Sequence, residues 1–260
     1  MKKFWRKYKT TLLALFWFLT GITFMMTIGS SEKSRAERYC SGIGIAIDYE
    51  QGNYFVDEEA VATLVKQKLP RNTLNVPVSI IDTKILEAHL MNNPYVEKAE
   101  VYIDINGKMW VNIEQHYPIA RVINTDNQSY YLSKEGLKMP TKTNFASRVP
   151  VISGYINDNG KTEGSIQAAI AHNIFELASF IENDPFWKAM IEQIYVNEDR
   201  DFILTPKMGN HEIILGPTYK KEEKFKTLKT FYQEAMPKVG WNTYRSINLK
   251  YRGQIVCTKR

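Results

Sequence analysis

A few places in the chain hold side chains of a kind that could do chemistry. Ser30 to Lys33 spells S-x-x-K, in which a lysine three residues on can take the hydroxyl proton and leave a serine nucleophile. That chemistry also needs an S-D-N and a K-T-G element. No matching S-D-N follows, and Lys161-Thr162-Glu163 is a poor K-T-G. Gly42 to Ile47 carries half of a dinucleotide-binding fingerprint, without the third glycine or the helix that would meet a pyrophosphate. His89, His116, His172 and His211 share no H-E-x-x-H or other ligand spacing, and two cysteines do not make a structural zinc site. Glu58-Glu59 and Glu222-Glu223 open helical segments, where the macrodipole accounts for them. No G-x-S-x-G or P-loop occurs. The Asn127–Ser129 sequon matters only in a secretory eukaryotic host. The expectation is a protein with no catalytic residue, cofactor, metal or small-molecule substrate, and the weight shifts to binding.

Charge excludes a second class. The formal net charge is +6, and Lys2, Lys3, Arg6, Lys7 and Lys9 supply five of it, which leaves +1 for the rest. The basic character belongs to the first nine residues, so no phosphate-tracking surface and no nucleic-acid partner are expected. The charged face of "YKKEEKFKTLK" reads as solvated. From Thr10 to Ser31 there is no charge, and about 20 apolar residues at 1.5 Å each span one hydrocarbon core. Cations before the run and mixed charges after it put the N-terminus in the cytoplasm and the remainder outside. A signal peptide cut after a small residue such as Gly29 is the competing reading; the run is longer than the usual core of about 7–15 residues, which favours an uncleaved anchor. An extracytoplasmic location permits a Cys40–Cys257 disulfide, and two separate thiols remain the alternative.

The soluble part must position whatever does the binding. Gly42–Glu50 reads as a strand with Ile43, Ile45 and Ile47 on one face. Asp57 caps a helix whose stripe is Val61, Leu64 and Val65, ended by Pro70. Asp82 caps a second, with Ile85 and Leu86 inward and Pro94 beyond it. Val101, Ile103 and Ile105 alternate on the next strand, and Met109, Val111 and Ile113 on its return. Asn106-Gly107 fits a two-residue type I′ turn. The order is β-α-α-β-β. Beyond Pro118 come strands broken by polar turns, then a helix with Ile166, Ile170, Ile174, Leu177 and Ile181 on one face. Three short strands follow over 191–217, then a helix with Phe225, Leu228, Tyr232 and Met236 inward. The chain closes in one more strand or a hairpin about Gly253. The fold class is α+β, with a transmembrane helix, a small first domain, and a mixed α/β domain on a mainly antiparallel sheet. The expected divisions are a basic stub (1–9), the span (10–29), a tether (30–39), the first domain (40–118) and the second (119–260).

These features together resemble the bacterial cell-division family FtsQ/DivIB, and the first soluble unit resembles its POTRA domain. Asn93, Pro94, Tyr95 and Val96 are similar to the family's opening motif, and Glu114, Pro118 and Ala120 to its Glu-x-x-x-Pro-x-Ala close. "YYLSKEGLKMP" is similar to an aromatic-Leu-Asp-x-x-Gly segment, with Ser133 in the Asp place. His116 and Tyr117 stand where the family often has basic residues. The closing strands are similar to those of Bacteroidota members.

The resemblance implies a non-enzymatic divisome scaffold in the inner membrane at the septum. Residues ~30–260 would lie in the periplasm. Its partners would be FtsB/DivIC-like and FtsL-like proteins and the septal peptidoglycan synthase complex. In the family the partner adds a strand to the terminal edge of the second domain. Unpaired backbone groups on such an edge gain hydrogen bonds from an incoming strand. Here that interface is expected on Tyr244, Ile247, Asn248, Leu249, Lys250, Tyr251, Arg252, Gln254 and Val256. An internal strand with no exposed edge is the alternative. The first-domain hairpin reads as a docking surface or as a spacer. A POTRA-bearing secretion or outer-membrane assembly factor and an anchored envelope enzyme are the rival functions. The first needs a barrel of strands about 9–11 residues long, against which the two long helices argue.

Overall fold

In a computed structural model, residues 16–26, 39–49, 52–69, 76–157 and 166–260 are described. The stub, most of the tether, S-x-x-K, Pro70 and Lys161–Glu163 lie outside them, as do residues 10–15 and 27–29 of the expected span. Residues 16–26 form a helix, α1, with Phe16, Trp17, Phe18, Phe24 and Met25 exposed. Among the described residues no helix is long and apolar enough to cross a membrane.

Two compact units follow, one of Met1–Asp48 and Val56–Gln115, the other of Tyr49–Phe55 and His116–Arg260. In the first, β1 (Gly42–Asp48) lies parallel to β3 (Lys108–Gln115), and β2 (Val96–Ile103) pairs antiparallel on β3's other side. The parallel pair needs a long crossover, supplied by α2 (Glu58–Lys68) and α3 (Thr83–Met91). Asp57 accepts from the Ala60 N–H and Asp82 from those of Lys84 and Ile85, so both helices start at the expected caps. Val61, Val65, Leu86 and Leu90 are buried with Ala99, Val101, Met109, Val111 and Ile113 of the sheet.

Three local expectations are corrected. Ile85 points outward, 57% exposed, because the buried stripe of α3 runs through Leu86 and Leu90, four residues apart. Ile105 is 83% exposed at the hairpin tip. The turn is not the two-residue type: Gly107 N–H donates to Asp104 C=O (3.1 Å), and Gly107 alone among the tip residues has positive φ (79°). The Asp104 carboxylate also accepts from the N–H groups of Asn106 (2.7 Å) and Lys108 (3.0 Å), which fixes a longer turn ending in a left-handed glycine.

The second unit is built on a nine-stranded sheet among the described residues, in the order β12-β11-β10-β9-β8-β7-β4-β5-β6. Its strands are β4 (Pro118–Ile123), β5 (Ser129–Ser133), β6 (Lys138–Pro140), β7 (Val151–Gly154), β8 (Ile191–Val196), β9 (Phe202–Pro206), β10 (Glu212–Gly216), β11 (Tyr244–Asn248) and β12 (Val256–Lys259). Five of the eight pairings are antiparallel. The parallel pairs β7–β8 and β10–β11 are bridged by helices. α4 (Ile166–Asn183) and α5 (Pro185–Met190) serve the first. α6 (Lys221–Glu234) and the short α7 (Met236–Val239) serve the second. Ile170, Ile174, Leu177 and Ile181 of α4 and Phe225, Leu228, Tyr232 and Met236 of α6–α7 join one core with Ile152, Ile194, Leu204, Ile213 and Ile247 of the sheet. The aromatic centre is Trp187, with ring centroids 4.8 Å from Phe225 and 6.2 Å from Tyr232.

Two features of the resemblance find their physical use here. The Ser133 hydroxyl accepts from the N–H groups of Glu135 (3.3 Å) and Leu137 (3.1 Å), the acceptor role an Asp would fill in that turn. His116 Nδ1 lies 3.1 Å from Glu135 Oε2, and the Tyr117 hydroxyl accepts from Lys188 Nζ at 3.2 Å. Cys40 and Cys257 are free thiols.

Candidate functional site

The two ends of the nine-stranded sheet are not equivalent. β6 has three residues, Lys138 and Pro140 flanking the buried Met139. A short strand carrying a lysine and a proline is a poor template for another chain. β12 has four residues and no proline, and nothing in the described chain pairs with its outer side.

How β12 reaches that position begins at β11, which the parallel crossover through α6 and α7 lays beside β10. Leu249 N–H then donates to Ile214 C=O at 2.9 Å, which carries the β10 contact past the end of β11. The chain leaves the sheet there. Asn248 Oδ1 accepts from Lys250 N–H (2.9 Å), and Gln254 N–H reaches Tyr251 C=O (3.3 Å). Gly253 takes the left-handed φ of +66° that closes the turn. Lys250 Nζ, 2.5 Å from Asp201 Oδ2, ties the turn to the loop before β9, and this ion pair raises the lysine pKa. The returning chain pairs antiparallel with β11, in register Ile247↔Cys257 and Asn248↔Val256.

The register also says which backbone groups are open. Arg260 N–H donates to Thr243 C=O (3.3 Å), so Arg260 faces the β11 side. Backbone direction alternates along a strand, so Thr258 and Val256 face β11 too. Cys257 and Lys259 then turn their N–H and C=O groups to the unpaired side. Their side chains differ: Cys257 is half-buried against the helix-side core, its thiol pKa pushed up by that burial, while Lys259 is exposed. Val256 and Thr258 are exposed as well.

Against this geometry, the interface expected on Tyr244–Val256 needs correcting. Tyr244, Ile247 and Asn248 lie on β11, which is occupied on both sides by β10 and β12, so that strand is internal. Ile247 (0% exposed) and Leu249 (3%) belong to the core and are not accessible to a partner. Tyr244 packs its ring 6.0 Å from Phe231. Lys250, Tyr251, Arg252 and Gln254 form the exposed turn, and only Val256 of the set is on the edge strand. The expected set does not include Cys257, Thr258 and Lys259, which with Val256 make up the edge strand. The signal was present in Gly253 followed by Ile255-Val256-Cys257-Thr258, in which three of four residues are β-branched, a hairpin return.

A family model described as FtsQ/DivIB, C-terminal related, matches residues 117–258, more than half of the chain, and a POTRA-like domain model matches residues 38–114. No curated protein matches the chain.

Proposed function

The chain belongs to the FtsQ/DivIB family of non-enzymatic division proteins, and from that premise we propose that it is a membrane-anchored scaffold of the division machinery. It captures an FtsB/DivIC-like or FtsL-like partner by strand addition to β12 and helps recruit the septal peptidoglycan synthase. The open outer side of β12, a strand that begins inside the segment matching the family, is the observation that carries this reading.

Magnitudes define what else the scaffold needs. Cys257 and Lys259 offer two N–H and two C=O groups. At a net ~0.5–1.5 kcal/mol per hydrogen bond, such an edge contributes about 2–6 kcal/mol. The middle of that range corresponds to a Kd near ~1 mM. Main-chain pairing alone is therefore too weak for a lasting complex in dilute solution. Confinement of both proteins to one membrane raises their effective concentration and makes such contacts sufficient.

The anchor belongs to the same proposal. We place the N-terminus in the cytoplasm, a span at 10–29 in the inner membrane, and residues ~30–260 in the periplasm at the septum. The charge-free run and the exposed apolar side chains of α1 support it. So do Thr20 and Thr23, whose hydroxyls donate to the carbonyls of Trp17 and Thr20 at 2.9 Å each, leaving no side-chain donor of theirs for solvent. Depletion tests the function: filaments with unfinished septa are expected, and normal septation would overturn it.

A further inference from the structure

The first unit exposes its large apolar side chains mainly at one end, the tip of the β2–β3 hairpin. The chain enters the unit there. Tyr39 pairs with Pro77 across an isolated bridge, Cys40 N–H donates to Val76 C=O (2.8 Å), and Ser41 N–H donates to Gly107 C=O (3.0 Å). The Ser41 hydroxyl also donates to Asn106 C=O at 3.3 Å. These bonds hold the entering chain and the one-turn helix Val78–Ile80 beside the hairpin turn. The start of α3 joins them. α3 turns back into β2 through residues 92–95, and Glu87 Oε1 accepts from Val101 N–H at 2.8 Å, so helix and strand run side by side in opposite directions.

Each of these segments brings an exposed apolar side chain to the tip. Tyr39 is 58% exposed and Ile80 65%, and Ile85 and Ile105 stand out with them. Tyr102 is exposed close by, opposite Trp110 in the cross-strand register. Met91, at the C-terminal end of α3, is exposed at the far end. Apolar side chains scattered singly need no explanation, but several at one end mark a contact surface. The polar groups among them suit a lipid headgroup layer. Lys84 is exposed in the first turn of α3, and Lys108 Nζ lies 3.9 Å from the centroid of the Trp110 ring. Tyr, Trp and Lys are the side chains that settle at a membrane–water boundary, with an apolar body and a polar tip. Asp82 and Asp104 turn their carboxylates to backbone N–H groups of their own turns.

Chain length selects the occupant. The charge-free run ends at Ser31, and seven residues, 32–38, separate it from Tyr39. Even fully extended, seven residues reach no more than about 25 Å. The tip is therefore the part of the first unit that the chain itself holds nearest the bilayer. We propose that it docks on the surface of the membrane that anchors the chain, with Tyr39, Ile80, Ile85 and Ile105 entering the boundary between headgroups and acyl chains, and Lys84 and Lys108 meeting anionic headgroups. The inference rests on the anchor at 10–29. It gives the first unit a fixed, tip-down seat on the bilayer, since apolar area and cations add to the tether in holding it there.

The test places the full chain in vesicles of a roughly 3:1 mixture of phosphatidylethanolamine and phosphatidylglycerol, with acyl chains brominated near the headgroup. Cys257→Ser leaves only the buried Cys40 thiol, and a bimane label is put on Ile105→Cys or, as the control, on Met91→Cys. The label at 105 is expected to lose its fluorescence to the brominated chains, and the label at 91 to keep it. Adding Ile80→Asp and Ile85→Asp should return the label at 105 to the level of the control. Both positions are exposed, so thermal unfolding should stay that of the parent. Equal fluorescence at 105 and 91, or quenching at 105 that survives the two aspartates, overturns the docking. So does a label at 105 that is shielded from aqueous iodide yet unquenched by bromine, which puts a second copy of the chain on the tip. Alkaline extraction of the vesicles separates the underlying reading. Chain that stays in the bilayer upholds the anchor whatever the labels show. Chain that is stripped out overturns the anchor, and quenching at 105 before extraction then upholds docking by the tip alone.

Discussion

Proline at position 259 separates the open side of β12 from its paired side. Lys259 is exposed, and its N–H points away from β11, whereas the N–H of the preceding Thr258 points toward Ser246. Proline lacks the N–H and is tolerated on an edge where that group faces outward. Lys259→Pro therefore removes one of the two outward donors and leaves the β11 ladder in place. Losing that bond costs ~0.5–1.5 kcal/mol of association, a ~2- to 12-fold rise in Kd, and the ring's bulk against the incoming backbone adds to it. Folding stability should change by less than ~0.5 kcal/mol, as for an ordinary surface substitution. Thr258→Pro is the opposite case: it strips a donor from the β11 ladder and should cost ~1–3 kcal/mol of stability. Urea denaturation and titration with the soluble segment of the proposed FtsB-type partner give the two numbers for each variant. Unchanged affinity in Lys259→Pro, with the protein folded, would refute the reasoning. So would a folding loss in Lys259→Pro as large as that in Thr258→Pro.

Other consequences follow from the same packing. Leu249→Ala should destabilise the second unit by ~2–5 kcal/mol in urea denaturation, because Leu249 is 3% exposed in the core. A stability close to wild type would return Leu249 to the surface. Tyr232→Phe removes the hydroxyl 2.7 Å from His211 Nε2 and leaves a buried ring nitrogen unpaired, at a cost of ~1–3 kcal/mol by the same assay. Stability should also fall in acid. Burial, aided by the charge of Arg260 and opposed by the Trp241 carbonyl, lowers the His211 pKa in the folded state. The unfolded chain therefore binds the proton more readily. This contribution is complete above about pH 6.5 and is lost as pH drops below it. A His211→Gln variant should lack that part of the pH slope between about pH 7.5 and 5.5, and an identical slope would contradict the assignment.

Local signals carried most of the elements. Asp57 and Asp82 announce their helices because capping needs only the next three residues. Phe225, Leu228 and Tyr232 repeat at helical spacing and are buried together. The hairpin tip was also a local matter, yet the Asn-Gly pair masked the stronger acceptor, Asp104, two residues earlier. What stayed hidden was non-local. Alternation in Tyr244–Val256 is compatible with an edge or an interior strand. Only the return of the chain after Gly253 decides that β12 takes the edge and β11 the interior.

The most direct measurement is residue-resolved amide exchange on β12 of the full chain, with and without the proposed FtsB-type partner. In the free protein the Thr258 and Arg260 amides should be protected by β11 while those of Cys257 and Lys259 exchange quickly. Saturation with the partner should slow both exposed amides. If Cys257 and Lys259 exchange as fast in the complex as in the free chain, no strand has been added to this edge.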